Sequence, residues 1–205
     1  MNNVILSGQL TDIEESHVIA DTKFYKANII VPNSNGYESI LPLKFKQFSN
    51  IYRDGDMVTL SGNIRSYSTR LSETKNKVEL YCFTYFDRPD GIDANTKNHF
   101  IIDGSICKKD DLVTLDSGKE IIHFIVKNTI QSGFSKLNSY LPCVAWGKVA
   151  KFIDHLSLHD NLIISGEFRS REYKKYTDSD KNDFEIKVAH ELLVTNVGVN
   201  DAWLF

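Results

Sequence analysis

At 205 residues the chain is long enough for one large domain or for two of about 100 residues each. Its 41% hydrophobic and 25% charged content suits a folded protein, no apolar run approaches the ~20 residues of a membrane span, and "MNNVILSGQL" lacks the basic start of a secretory signal. The net charge of −3, with neither half basic, excludes a general cationic field for nucleic acid, and three widely spaced cysteines argue for a reducing, cytoplasmic setting without disulfides.

Asn3–Leu10 (NVILSGQL) reads as a first strand broken by Gly8, and Lys23–Val31 (KFYKANIIV) as a second. Leu41-Pro42 marks a third. Phe48, Ile51 and Tyr52 make a shortened helical stripe that stops at Asp54-Gly55. Val58–Ser68 (VTLSGNIRSYS) and Asn76–Phe83 (NKVELYCF) complete a set of five strands. The same order then recurs. HFIIDGSI (from His99) and KEIIHFIVK (from Lys119) follow their counterparts at an offset of 96, and Leu141-Pro142 at 100. LIISGEFRSRE (from Leu162) follows at 104 and NDFEIKVA (from Asn182) at 106. Each match alone is weak, but five in one order with a steadily growing offset predict a tandem duplication.

In the second copy, Val149, Phe152, Ile153 and Leu156 fall at i, i+3, i+4 and i+7, one face of a helix between the third and fourth strands. Five strands with a helix in that place are the order of an OB-fold, and glycines in the first and fourth strands suit its sharp bends. The fold class expected is therefore all-β: two tandem OB-folds, each a five-stranded Greek-key barrel with a helix between strands 3 and 4. The expected boundaries are 1–90 for the first barrel, 91–98 for a linker, 99–197 for the second barrel and 198–205 for a short C-terminal tip.

The stretch CVAWGKVAKFIDHLSLHDNLIISGEFRSREYKKY (Cys143–Tyr176) resembles the bacterial single-stranded DNA-binding protein family. Two features carry the likeness: the Trp146-Gly147-Lys148 step into a helix, and the run Gly166-Glu167-Phe168-Arg169-Ser170-Arg171. The resemblance spans roughly residues 98–195, and the first copy follows it more faintly. It implies binding of single strands by stacking bases on aromatics in a basic groove, with Tyr140, Trp146 and Tyr173 as the stacking residues. Tyr140 and Trp146 are an even six positions apart, so both can leave one strand face. Arg169, Arg171, Lys174 and Lys175 add cations to the fourth strand, and Lys148 and Lys151 add two beside the third. Ile130–Ser139 and Thr177–Asp183 would be the mobile loops that close over a strand. A tryptophan in a strand is as often barrel core as a stacking surface, and strand arginines are commonly just a solvated face.

In the first copy, the positions matching Tyr140, Trp146 and Tyr173 are Ser39, Phe45 and Thr69. Tyr37 and Tyr67 lie two residues before Ser39 and Thr69, a shift that keeps the strand face, with Arg65, Arg70, Lys44 and Lys46 as phosphate contacts. Two readings stand: a displaced platform of Tyr37, Phe45, Arg65 and Tyr67, or a degenerate copy that serves as scaffold. Trp203, Leu204 and Phe205 resemble a shortened form of the family's partner-recruiting tail, or else tuck onto their own domain.

His155 and His159 are four apart but lack further ligands, and neither a phosphate loop nor a nucleophile motif is present, so no metal, cofactor or catalysis is expected. The reading is a non-enzymatic protein that binds and protects single-stranded DNA in replication, recombination or repair. Stacking and phosphate contact serve RNA equally. Family members generally present four OB-folds per assembly, so the resemblance implies a homodimer, with replication or repair proteins as further partners. The alternative is a primosome-type or adaptor OB protein acting mainly through protein partners.

Overall fold

A computed structural model describes residues 1–46, 52–70, 76–87, 98–132, 135–176, 183–199 and 202–203. The first copy supplies β1 (Asn2–Ile19), β2 (Thr22–Pro32), β3 (Glu38–Lys46), β4 (Met57–Arg70) and β5 (Asn76–Asp87). The second supplies β6 (Asn98–Lys109), the two-residue β7 (Val113–Thr114), β8 (Glu120–Ser132), β9 (Ser135–Trp146), α1 (Gly147–His155), β10 (Asn161–Tyr176), β11 (Phe184–Val199) and β12 (Ala202–Trp203).

Each copy closes on itself. β1 pairs with both β2 and β4, while β3 and β5 run parallel to one another and complete the first barrel. β6 closes the second barrel by pairing with β8 and β10, again with a parallel β9–β11 contact. This is the strand order of the OB-fold, twice. Alternation drives the closure: Val4, Leu6 and Leu10 on β1, and Phe100, Ile102 and Ile106 on β6, are all buried. The helical stripe of α1 behaves as its spacing predicts, with Val149 and Ile153 buried and Phe152 and Leu156 packed against the same core. The corresponding stripe of the first copy lies largely outside the described residues.

The two barrels are joined edge to edge. β1 pairs antiparallel with β6, and Val4 faces Phe100 at the centre of the register. Those two residues are equivalents in the repeat, so the copies are related by an approximate twofold axis through this pair. The link makes one continuous 12-stranded sheet. One expectation is corrected here: Ile130–Ser132 and Ser135–Ser139 extend β8 and β9 as a long hairpin rather than forming a loop. Residues 177–182 of the other expected loop lie outside the described set.

Candidate nucleic-acid interface

On β9, Leu141, Cys143 and Ala145 point into the barrel, so Tyr140, Pro142, Val144 and Trp146 point out. Tyr140 and Trp146 are each 41% exposed at the two ends of this row. Gly147 follows at a positive φ of 56°, a region that favours glycine. It turns the chain into α1 and leaves the Trp146 ring at the strand's exposed end. On β10, Phe168 points inward, which turns Glu167, Arg169, Arg171 and Tyr173 outward in a second row; Tyr173 is 40% exposed. β11 lies between these rows, with Leu193 beside Val144 and Glu191 opposite Arg169. The sequence-predicted aromatics and arginines of this copy therefore share one outer face.

Three of its cations are held by carboxylates. Arg169 meets Glu167 at 2.5 Å, Arg171 meets Glu191 at 3.1 Å and Lys151 meets Glu120 at 2.7 Å. Partial burial opposes the Glu167 charge, but hydrogen bonds from Arg169 and Ser34 outweigh it and keep this carboxyl below its ordinary range. Lys151 does the same for the half-buried Glu120. Lys175 follows Tyr173 on the outer row. Lys174 does not: alternation turns it to the opposite face, where its ammonium sits 4.1 Å from the centre of the Phe184 ring. Lys148 is exposed at the start of α1.

The repeated Ser-Gly-x-x-Arg-Ser has a physical meaning that its reading as a strand alone does not give. Gly62 and Gly166 sit at matching irregularities of β4 and β10. Two residues on, the backbones of Ile64 and Phe168 are each clamped by an asparagine side chain, Asn2 and Asn98, which both donates to the carbonyl and accepts from the amide. Asn2 and Asn98 also donate to Asn128 and Asn33 of the opposite copy, at 2.8 and 3.1 Å. The final serines cross the seam reciprocally. Ser170 Oγ accepts from Ile40 N (3.0 Å) and Ser66 Oγ from Tyr140 N (2.7 Å), while Ser39 and Ser139 accept from the amides of Ser170 and Ser66. The motif bends a strand, turns a half-buried arginine to the outer side and fastens the two barrels together.

These contacts correct the first-copy alignment. Ser39 matches Ser139 and Ile40 matches Tyr140, so the equivalent of Trp146 is Lys46. Phe45 corresponds to inward-facing Ala145; it is 5% exposed and stacks on Tyr25 in the core at 5.7 Å, so it presents no face to a base. A one-residue slip in register exchanges the two faces of a strand, which is why the expectation failed. Tyr37 is 75% exposed, but it lies on the β2–β3 turn against the second barrel and not on its own barrel's face.

The first barrel nonetheless carries an aromatic and cationic face. The Arg65 guanidinium lies 4.2 Å from the centre of the Phe83 ring, and the Lys44 ammonium lies 4.3 Å from Tyr81 and 4.8 Å from Tyr67. Tyr67 also donates its hydroxyl to Glu79. Tyr81 and Phe83 were missed in the sequence, although they alternate with buried Leu80 and Cys82 and so had to face outward. The side chain of Arg70 lies outside the described set.

The remaining expectations separate. α1 ends at His155 and His159 has a φ of 74°, so the two imidazoles do not share a helix face. Among the described residues no three His, Cys, Asp or Glu cluster as metal ligands would. The thiols of Cys82 and Cys143 are core groups; burial pushes Cys82 up to about 12 and Cys143 upward as well. The backbone of Ala202–Trp203 returns along β11 opposite Gly198 and Val199. The Trp203 side chain, Leu204 and Phe205 lie outside the described residues. No described helix is long and apolar enough to cross a membrane.

Fold and face together define a tandem OB-fold protein. Residues 97–194, which make up the second barrel, match the model of the Single-strand binding protein family. The match covers the span on which the sequence carried its resemblance. No curated protein matches the sequence at a significant level. Among solved structures, the wild-type single-stranded DNA binding protein from Thermus aquaticus superposes with a TM-score of 0.70 over 98% of this chain and 94% of that one, at 14% identity. A deletion mutant of the same protein gives 0.69 over 97% and 94%, also at 14%. At this identity the likeness establishes the fold, and it extends over both barrels and their junction. PriB from Ralstonia solanacearum covers 50% of this chain and 97% of its own at 11% identity, with a TM-score of 0.38, too low to bear on function.

Proposed function

We propose that this chain is a non-catalytic protein that binds single-stranded DNA without reading its sequence and protects it during replication, recombination or repair in the cytoplasm. The observation that carries the reading is the outer face of the second barrel, where exposed Trp146 lines one groove with Arg169 and Arg171, Tyr173 follows the arginines on β10 and Tyr140 is exposed on the same face of β9 as Trp146. An exposed ring offers a π-face to any base, worth about 1–3 kcal/mol per stacked base. Base edges in the groove are not needed for that contact, so tolerance of sequence follows. Lys148, Lys151 and Lys175 extend the phosphate path. In the first barrel the Lys44, Arg65, Tyr67, Tyr81 and Phe83 cluster supports a second platform, displaced rather than degenerate. The domain division proposed keeps the first barrel within 1–90 and begins the second at Asn98, the first residue of β6, one position before the boundary expected from the sequence, with two chains assembling into a four-barrel homodimer.

The test is a tryptophan fluorescence titration with oligo-dT at low and moderate salt, with duplex DNA as control and Trp146→Phe to assign the signal between Trp146 and Trp203. Saturable quenching that favours single strands and weakens with salt is expected, because phosphate contacts release counterions. No quenching, together with unchanged anisotropy of a labelled oligonucleotide at low salt, would remove the reading. Oligo-rU in place of oligo-dT measures the preference for DNA over RNA.

A further inference from the structure

A groove of about 690 Å³ lies along the second barrel's outer face, and its far wall belongs to the first barrel. Trp146, Val144 and Arg171 line one side; Asn35, Tyr37 and Ile40 line the other. The foreign wall is fixed in place. Ser34 N donates to Glu167 Oε1 at 3.0 Å, Arg169 Nη2 donates to Ser34 Oγ at 3.2 Å, and Ile40 N donates to Ser170 Oγ at 3.0 Å. His190 Nε2 reaches the Ile40 carbonyl at 3.1 Å.

The turn carrying Tyr37 is equally well determined. Asn33 N donates to Tyr37 O at 2.7 Å, Gly36 N donates to Asn33 O at 3.1 Å, and Gly36 has a φ of 84°. An aromatic on a tight, anchored turn would ordinarily be packed; this one is 75% exposed and contributes little buried area to the fold. Rigid backbone under an exposed ring is what a stacking contact requires, since little conformational freedom remains to be lost on binding.

Charge orients the occupant. Arg169 and Arg171 lie on the second barrel's side, each beside a carboxylate (Glu167 and Glu191), while the first-barrel wall offers no cation among its lining residues and places Glu38 next to Tyr37, which is unfavourable for phosphate. A single strand in the groove therefore runs its backbone along Arg169 and Arg171 and turns its bases towards the wall.

We propose that Tyr37 of the first barrel is a base-stacking residue of the second barrel's groove, so that single-stranded nucleic acid there is held by both copies of one chain. This rests on the single-strand-binding reading above. The approximate twofold repeats the junction on the other side, where Tyr140, the counterpart of Ile40, is tied through its amide to Ser66 of the first barrel. The strand would then pass from one barrel to the other across the seam, and the two barrels act as one site.

The experiment compares wild type, Tyr37→Ala and Tyr37→Phe for binding to a dT oligomer of about eight nucleotides, within the ~4–16 that one OB-fold covers. Anisotropy gives affinity and thermal melting checks the fold. Tyr37→Ala is expected to bind about 5- to 100-fold more weakly, with the salt slope unchanged because no phosphate contact is lost, while Tyr37→Phe retains binding. Wild-type affinity in Tyr37→Ala, with Trp146→Ala and Arg171→Ala still weakened, overturns the composite wall and leaves the single-strand reading intact. No binding by wild type overturns both. Should Tyr37→Ala melt early, crosslinking of a 5-iodouracil oligomer to wild-type protein decides: an adduct at Tyr37 supports the proposal, and adducts confined to the second barrel sink it.

Discussion

Lys109 shows how a single residue can hold an element it is nowhere near in sequence. Its ammonium donates to the carbonyls of Asp154 (2.6 Å), Leu156 (2.7 Å) and Ile153 (3.4 Å) at the C-terminal end of α1. The last carbonyls of a helix outnumber the amides that can reach them, although Ile153 O already accepts from Leu156 N at 3.1 Å, and the end of the helix carries partial negative charge, so a half-buried cation there is favourable twice over. Lys109→Met keeps the aliphatic stem and removes the donors. We expect a loss of about 1–2 kcal/mol in denaturant unfolding. An unchanged midpoint would mean that water caps the helix as well as the lysine does. None of this was legible in the sequence, because a lysine in a polar stretch 44 to 47 residues from its acceptors carries no local signal. Trp146 was legible: the glycine after it had to turn the chain, and even spacing put it on the face of Tyr140.

At the scale of an element, the irregularities of β4 and β10 decide how tightly each barrel closes. A Cβ on Gly166 would overlap the Leu193 carbonyl oxygen and approach Thr195 N to 3.1 Å; one on Gly62 would overlap the Phe83 carbonyl and sit 2.9 Å from Thr84 Cα. Backbone cannot rotate aside as a flexible side chain can. Gly166→Ala should therefore cost at least about 1–3 kcal/mol of stability, read as a lower urea midpoint, and Gly62→Ala should behave alike. A neutral effect at either site would show that the strands can separate there without loss. The role of these glycines as bends was readable from their repeated place after a serine in the fourth strand. The register of β3 was readable too: with Lys44 and Lys46 outward, Phe45 between them had to point in. The error came from matching aromatic to aromatic instead of following the alternation.

At the scale of the whole molecule, the repeat in the sequence announced two barrels but not how they meet. Asn2 and Asn98, Ser39 and Ser139, and Ser66 and Ser170 were all present as repeated residues, yet polar side chains in strands read as surface until the opposite copy is placed against them. The interface they make is polar and only partly dry, and His190 on β11 titrates within it. Its Nε2–H donates to the Ile40 carbonyl at 3.1 Å, and its ring lies 6.1 Å from that of Phe168. Burial pushes its pKa below the ordinary 6.5, outweighing the opposing pull of the Ile40 carbonyl and of Glu79, while Lys77 adds to the lowering. The folded protein thus resists a proton that the unfolded chain accepts. Above pH 6.5 both states are neutral at this site and it contributes no pH dependence. As pH falls below 6.5 the unfolded state binds more protons, and stability declines down to the depressed pKa of the folded form, below which both are charged and the loss stays constant. Glu120, Glu167 and Glu185 titrate in a separate window, below their ordinary 4.5, because their pKa values are lowered. Thermal midpoints should therefore fall between pH 7 and pH 5, and His190→Gln, a neutral donor of similar reach, should flatten that decline. An equal decline in the variant would place the titrating group elsewhere and leave the barrel seam indifferent to pH.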